Sequence, residues 1–178
     1  MQRRSKPLAE PELYDHAVKA LGRRMRTELE LRRILTPKAE PGERGHLAIS
    51  SVLSRLREHG YLNDAAFAEA YTRLRQENDK LGQRKVRQKL AAKGISSRIA
   101  QQAVEARYAG TSEEALAREH LERKRIGKPV DEKEAARVVR RLVSAGFSTS
   151  VISKVLRQWD IPDETLAALD DLEEPTAE

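Results

Sequence analysis

The densest chemistry in the chain is a run of cations, Arg84, Lys85, Arg87 and Lys89, interleaved with Val86 and Leu90 and followed by Lys93. At helical spacing Val86 and Leu90 share an inward face, and the cations, with Gln88, cover most of the remaining circumference. A second basic helix carries Arg137, Arg140 and Arg141. Such side chains make and break no bonds by themselves. They neutralise polyanions, phosphates above all, or dock on acidic protein surfaces. For any one of them a solvated helix face is the plain alternative. Groups that would support catalysis are not assembled. His16, His46, His59 and His120 are scattered without metal-ligand spacing. There is no G-x-x-x-x-G-K phosphate loop, no nucleophile elbow and no cysteine. The reading is of a binding protein, not an enzyme, with no metal and no cofactor.

The elements that must position these cations are announced by a repeat. KLAAKGISSRIAQQAV, around Leu90, aligns with RLVSAGFSTSVISKVL, around Leu142. Gly94 pairs with Gly146, Ile95 with Phe147, Ser96 with Ser148, Ile99 with Val151 and Ala100 with Ile152, all at one constant offset. Each copy reads helix, glycine stop, buried apolar residue, serine cap, helix. A repeat of this kind points to a row of small helical units.

Periodicity and stop signals fill in the rest. A first helix starts near Pro11 with Leu13, Ala17 and Leu21 inward, and Thr27 caps a second bearing Leu31, Ile34 and Leu35. After the breaking segment PKAEPGERG, a third helix carries Ile49, Val52, Leu53 and Leu56 and stops at Gly60 in the left-handed role glycine fills without steric cost. Asp64 is expected to cap a fourth helix whose inner face is Phe67, Tyr71 and Leu74, with Tyr61 and Leu62 stapling its start. The fifth ends at Gly94, and the sixth is capped by Ser96 or Ser97, with Ile99, Ala103 and Val104 inward. Three further helices carry Leu116 and Leu121; Val138, Val139 and Leu142; and Val151, Ile152, Val155 and Leu156, with Trp159 closing the last. The expected organisation is all-α: a polar disordered arm over 1–10, three three-helix repeats over 11–63, 64–110 and 111–160, and an acidic tail over 161–178.

Composition agrees with exposed amphipathic helices: 35% of the 178 residues are charged and only 4% aromatic. Charge is segregated. Residues 1–160 hold all 34 Lys and Arg and 21 of the 28 Asp and Glu, so the body carries +13 against +6 for the whole chain. The seven remaining acids lie after residue 160 with no base among them. A tail of that kind is a solubilising segment, or a competitor of nucleic acid for the basic body. No secretory signal and no membrane-spanning run is present, which sets the expectation of a cytoplasmic protein with no membrane contact.

Three segments, GYLNDAAFA (60–68), GQRKVRQKLAAKGI (82–95) and RRLVSAGFSTSVISKVL (140–156), resemble in order and spacing the motifs of the RecX family, regulators of the bacterial RecA recombinase. The resemblance spans about residues 11–158. It departs from the family pattern at Ser144 and Ala145, where basic residues often precede Gly-Phe, and in an expanded PKAEPGERG loop. It implies an elongated, curved, monomeric protein of three-helix repeats that lodges in the groove of the RecA–single-stranded DNA filament. There it would restrain ATP hydrolysis, filament extension and strand exchange, with weak direct DNA binding. Arg84, Lys85, Arg87, Lys89, Lys93, Arg137, Arg140 and Arg141 are the candidate contacts. Gly60, Tyr61, Leu62, Asp64, Phe67, Gly82, Leu90, Gly94, Ile95, Gly146 and Phe147 read as structural, Asp64 as a cap and Tyr61 and Phe67 as packing between repeats. The alternative is a module of helix-turn-helix type acting directly on DNA; against it, no helix N-terminus presents the Arg, Asn and Gln set suited to base edges.

Overall fold

A computed structural model describes residues 6–159, which fold into α-helices joined by short turns, with no strand among them. In chain order these are α1 (Glu10–Leu21), α2 (Glu28–Leu35), α3 (Glu43–Glu58), α4 (Asp64–Asp79), α5 (Gln83–Ala92), α6 (Ser97–Tyr108), α7 (Glu113–Arg123), α8 (Glu132–Ala145) and α9 (Thr149–Arg157). A 3₁₀ turn, Thr36–Lys38, follows α2 around Pro37. The acidic tail and residues 1–5 of the expected arm lie outside the described residues. Within that arm, α1 begins at Glu10, and the Leu8 N–H donates to the Lys38 carbonyl at 2.8 Å.

The described residues form two compact units, 6–70 with 90–100 and 71–89 with 101–159. The division passes through α4, α5 and α6, so the helical triplets and the compact units do not coincide. The first unit is built on Leu13, Ala17, Leu31, Leu35, Ile49, Val52, Leu53 and Leu56, each at most 1% exposed. Burying each such leucine contributes roughly 1.5–3 kcal/mol. In the second unit Leu116, Leu121, Val138, Val139, Leu142, Phe147, Ile152, Val155 and Leu156 are buried in the same way. The Lys154–Glu114 ion pair ties α9 to α7 at 2.9 Å.

Local signals at the helix starts hold with one correction. Thr27 accepts the Glu30 N–H at 3.2 Å, and Ser96 and Ser148 accept from Ile99 and Val151 at 3.4 Å. Asp131, with Glu134 reaching back to the Val130 N–H, boxes the start of α8. At α4, however, the cap is Asn63, whose side chain accepts the Ala66 N–H at 2.9 Å. Asp64 is already helical and instead accepts the Glu28 N–H of α2 at 3.2 Å, bonding the first turn of another helix. Partial burial pushes its carboxyl above the ordinary aspartate range, against the hydrogen bond from Glu28.

The inner face of α4 also differs from expectation. Leu74 is 46% exposed, and the buried stripe runs Phe67, Ala68, Thr72 and Gln76. Burial of Gln76 is tolerated because its amide donates to Thr111 Oγ1 at 3.1 Å. Leu62 is buried in the first core and Phe67 is 7% exposed, but Tyr61 is 56% exposed, its ring T-shaped to that of His59, which does not fit the expected packing between repeats. Ile99 is half-buried; Ala100, Ala103, Val104 and Tyr108 carry the inner face of α6. The Tyr108 hydroxyl donates to the Leu81 carbonyl at 2.5 Å, and burial pushes its pKa well up.

The repeated turn is a joint, made twice. After α5, Gly94 takes φ +82, and after α8, Gly146 takes φ +90. In the first unit the Thr27 hydroxyl, at the cap of α2, donates to the Lys93 carbonyl at 2.7 Å. In the second the Gly82 N–H, just before α5, donates to the Ala145 carbonyl at 2.9 Å. Thus the residue before each glycine offers its carbonyl to the start of a preceding second-position helix. A Cβ at Gly94 would collide with Leu29, and one at Gly146 with the Lys85 backbone. A Cβ at Gly82 would meet the Gly146 carbonyl.

Candidate anion-binding surface

Tertiary structure divides the basic helix. With Val86 and Leu90 fully buried, Lys85 and Lys89 fall on one flank of α5, Arg87 on the other, and Arg84 with Gln88 on the outer face. Lys85 donates to Gln88 Oε1 at 2.9 Å. Lys93 is different in kind. Its ammonium is 2.6 Å from Glu30 and 5.6 Å from the Phe67 ring centroid, and its carbonyl belongs to the joint with Thr27. Burial alone would raise the Glu30 pKa, but the hydrogen bond and charge of Lys93, with Arg24, outweigh it and hold the carboxyl below its ordinary range. Lys93 is therefore engaged within the first unit, by Glu30, Phe67 and Thr27.

In the second unit Lys85 and Lys89 meet Arg141 of α8 and Lys124, just past the end of α7, around a pocket of about 290 Å³. Its wall also includes Asp79, His120, Leu81 and Ala145. Three of these cations were legible as candidates. Lys124 was not singled out in that role, because in the sequence it reads only as a favourable charge at a helix C-terminus. Arg137 and Arg140 are exposed on α8 and do not line the pocket.

His120 is 3% exposed, with Nδ1 3.1 Å from the Asp79 carbonyl and its ring edge-on to Phe147. Burial lowers its pKa below the usual imidazole value, and the nearby Lys124 and Arg141 charges push the same way. Such a histidine is a neutral wall of the site. Among the described residues no group of His, Asp and Glu is arranged to hold a metal ion, and no helix is long and apolar enough to cross a membrane.

Fold and surface together define a class: an all-helical protein built of repeated three-helix elements, with cations gathered on its middle helix. A profile of the second three-helix domain of RecX matches residues 63–104. Regulatory protein RecX of Leptothrix cholodnii is 37% identical over 150 residues, covering 83% of this chain and 89% of that protein. Its counterpart in Ralstonia nicotianae is 31% identical, covering 92% and 94%. The chain belongs to the RecX family. In fold it is similar to the crystal structure of RecX from Lactobacillus salivarius, with TM-score 0.67 at 22% identity, covering 85% of this chain and 96% of that one.

Proposed function

We propose that this chain regulates a RecA-type recombinase, mainly as an inhibitor, by binding the RecA–single-stranded DNA filament and restraining ATP hydrolysis, filament extension and strand exchange. The observation that carries this reading is family membership across most of the chain, at 37% identity to a relative named as a regulatory protein. The surface supports it. A filament groove offers DNA phosphates beside protein, and an inserting protein needs exposed cations on a firm support. Arg84, Lys85, Arg87 and Lys89 stand on a helix anchored by the fully buried Val86 and Leu90, with Arg137, Arg140 and Arg141 on α8. The action is binding, not catalysis, by a monomer in the cytoplasm, with weak, salt-sensitive affinity for DNA alone.

The test is ATP hydrolysis by preformed RecA–single-stranded DNA filaments, titrated with this protein beside a matched DNA-only binding assay. Loss of hydrolysis at concentrations well below those that coat free DNA is the expected result. Unchanged hydrolysis together with tight duplex binding would replace the reading with direct action on DNA.

A further inference from the structure

The pocket beside α5 is built by tertiary structure, not by one helix face. Lys85 and Lys89 come from α5, Lys124 from the end of α7 and Arg141 from α8. Like charges brought together from separate elements repel one another unless something offsets them. Asp79, the carboxylate of the pocket wall, is already engaged by Arg75 at 2.7 Å. Among the described residues none of the four pocket cations holds an ion pair. At about 290 Å³ the pocket lies near the lower end of small-ligand sites, roughly 300 Å³. That space accommodates a compact, highly charged group.

We propose that this pocket binds a phosphate-dense anion, two or three linked or neighbouring phosphates held by Lys85, Lys89, Lys124 and Arg141. Arg141 can grip two oxygens in fork geometry, while the lysines act as point charges. The same chemistry is offered by a free oligophosphate, such as the polyphosphate end of a nucleotide, and by successive phosphates of a nucleic-acid strand. The proposal stands on the geometry of the second unit and does not depend on the filament reading.

The full chain would be titrated with sodium tripolyphosphate by calorimetry at about 0.15 M salt, where diffuse surface attraction is largely screened. Saturable one-to-one binding is expected, with Lys89→Gln and Arg141→Gln each weakening it about tenfold, the worth of one charge-assisted contact. Lys133→Gln, an exposed cation of α8 outside the pocket, should leave affinity unchanged. Amide shifts in the unaltered protein provide a reading free of any folding defect: they should cluster at Lys85–Lys89, Lys124 and Arg141. A labelled single-stranded oligonucleotide separates the sources. Displacement by tripolyphosphate, with DNA affinity lost in both pocket variants, assigns the pocket to a nucleic-acid strand; unchanged DNA affinity assigns it to a free oligophosphate. Absence of saturable binding up to about 10 mM, a free energy weaker than about 3 kcal/mol, overturns the proposal. So does Lys133→Gln falling as far as Lys89→Gln, which would mean diffuse charge alone. Filament hydrolysis measured with the unaltered protein keeps the two readings apart: restraint of hydrolysis without saturable tripolyphosphate binding refutes only the pocket, and saturable binding without restraint refutes only the filament reading.

Discussion

The turn at Gly94 and the turn at Gly146 share a sequence pattern and a backbone conformation, yet they are locked by different chemistry. At Gly94 the lock is made of side chains: the Thr27 hydroxyl on the Lys93 carbonyl, the Lys93–Glu30 ion pair at 2.6 Å, and Leu29 against the glycine. At Gly146 it is made of backbone, with the Gly82 N–H on the Ala145 carbonyl and the Lys85 main chain pressed against the glycine. A repeat conserves the geometry of a joint and leaves its chemistry free, and the second version places α5 firmly against the turn that follows α8. That placement brings Lys85 and Lys89 to Arg141.

Breaking the glycines should therefore separate the joints by size of effect. Gly146→Ala combines a strained positive φ with a clash against backbone that cannot step aside, and should cost about 3–4 kcal/mol. Gly82→Ala carries no φ strain but meets the Gly146 carbonyl from the other side, and should cost about 2–3 kcal/mol. Gly94→Ala should cost about 2–3 kcal/mol: the Leu29 Cγ and Cδ2 can swing away, while its Cβ, at 2.5 Å, can yield only by a small shift of α2. Gly110→Ala, at φ +74 with open space around it, should cost only about 1 kcal/mol. Denaturant melts of the four variants check the order; Gly110→Ala matching Gly146→Ala would show that φ alone matters.

A smaller effect sharpens the side-chain lock. Thr27→Val removes both the helix cap and the donor to Lys93, at about 1–2 kcal/mol. Hydrogen exchange should report the loss in the first unit, at the Glu30 and Lys93 amides, with the amides around Gly146 unaffected.

The smallest expected effect is in pH. His120 has a lowered folded pKa, so its contribution is fully present above the ordinary imidazole value of 6.5 and is lost as pH falls below it. Glu30 is also lowered, but from 4.5, so the Lys93 pair persists above that value and fails only as pH drops through the lowered one. His16, in the first unit, shifts in the same direction as His120, by burial and then by Lys38, Lys19 and Arg23, but it is largely solvated and its effect is screened. On acidification from about pH 7 to about pH 5.5 protection should fall first in the second unit, and His120→Gln should abolish that step. Equal loss in both units would contradict the difference.

Much of this fold was legible, because amphipathic helices advertise themselves at period 3.6 and left-handed glycines mark their ends. Gly60 takes positive φ, as read, and so do Gly94 and Gly146, read as helix stops. What escaped depended on partners distant in sequence. Asn63 and Asp64 are both competent caps, and only the Glu28 N–H, 36 residues away, decides which serves α4. Leu74 looked inward because leucine usually is, but the buried stripe of α4 is held by Gln76 bonding Thr111. Lys93 looked like one more cation of α5 until Glu30 took it. The pocket was legible by halves: its helix-borne cations stood out as a run, whereas Lys124 joins them only through the fold.

The most direct test of the account is the filament hydrolysis assay repeated with Arg84, Lys85, Arg87 and Lys89 all changed to Glu. The helix is anchored by Val86 and Leu90, so the variant should stay folded, with an unchanged circular dichroism spectrum, and should lose its restraint of ATP hydrolysis by RecA–single-stranded DNA filaments. A folded variant that restrains hydrolysis as fully as the unaltered protein would contradict the assignment of α5 as the filament-binding element.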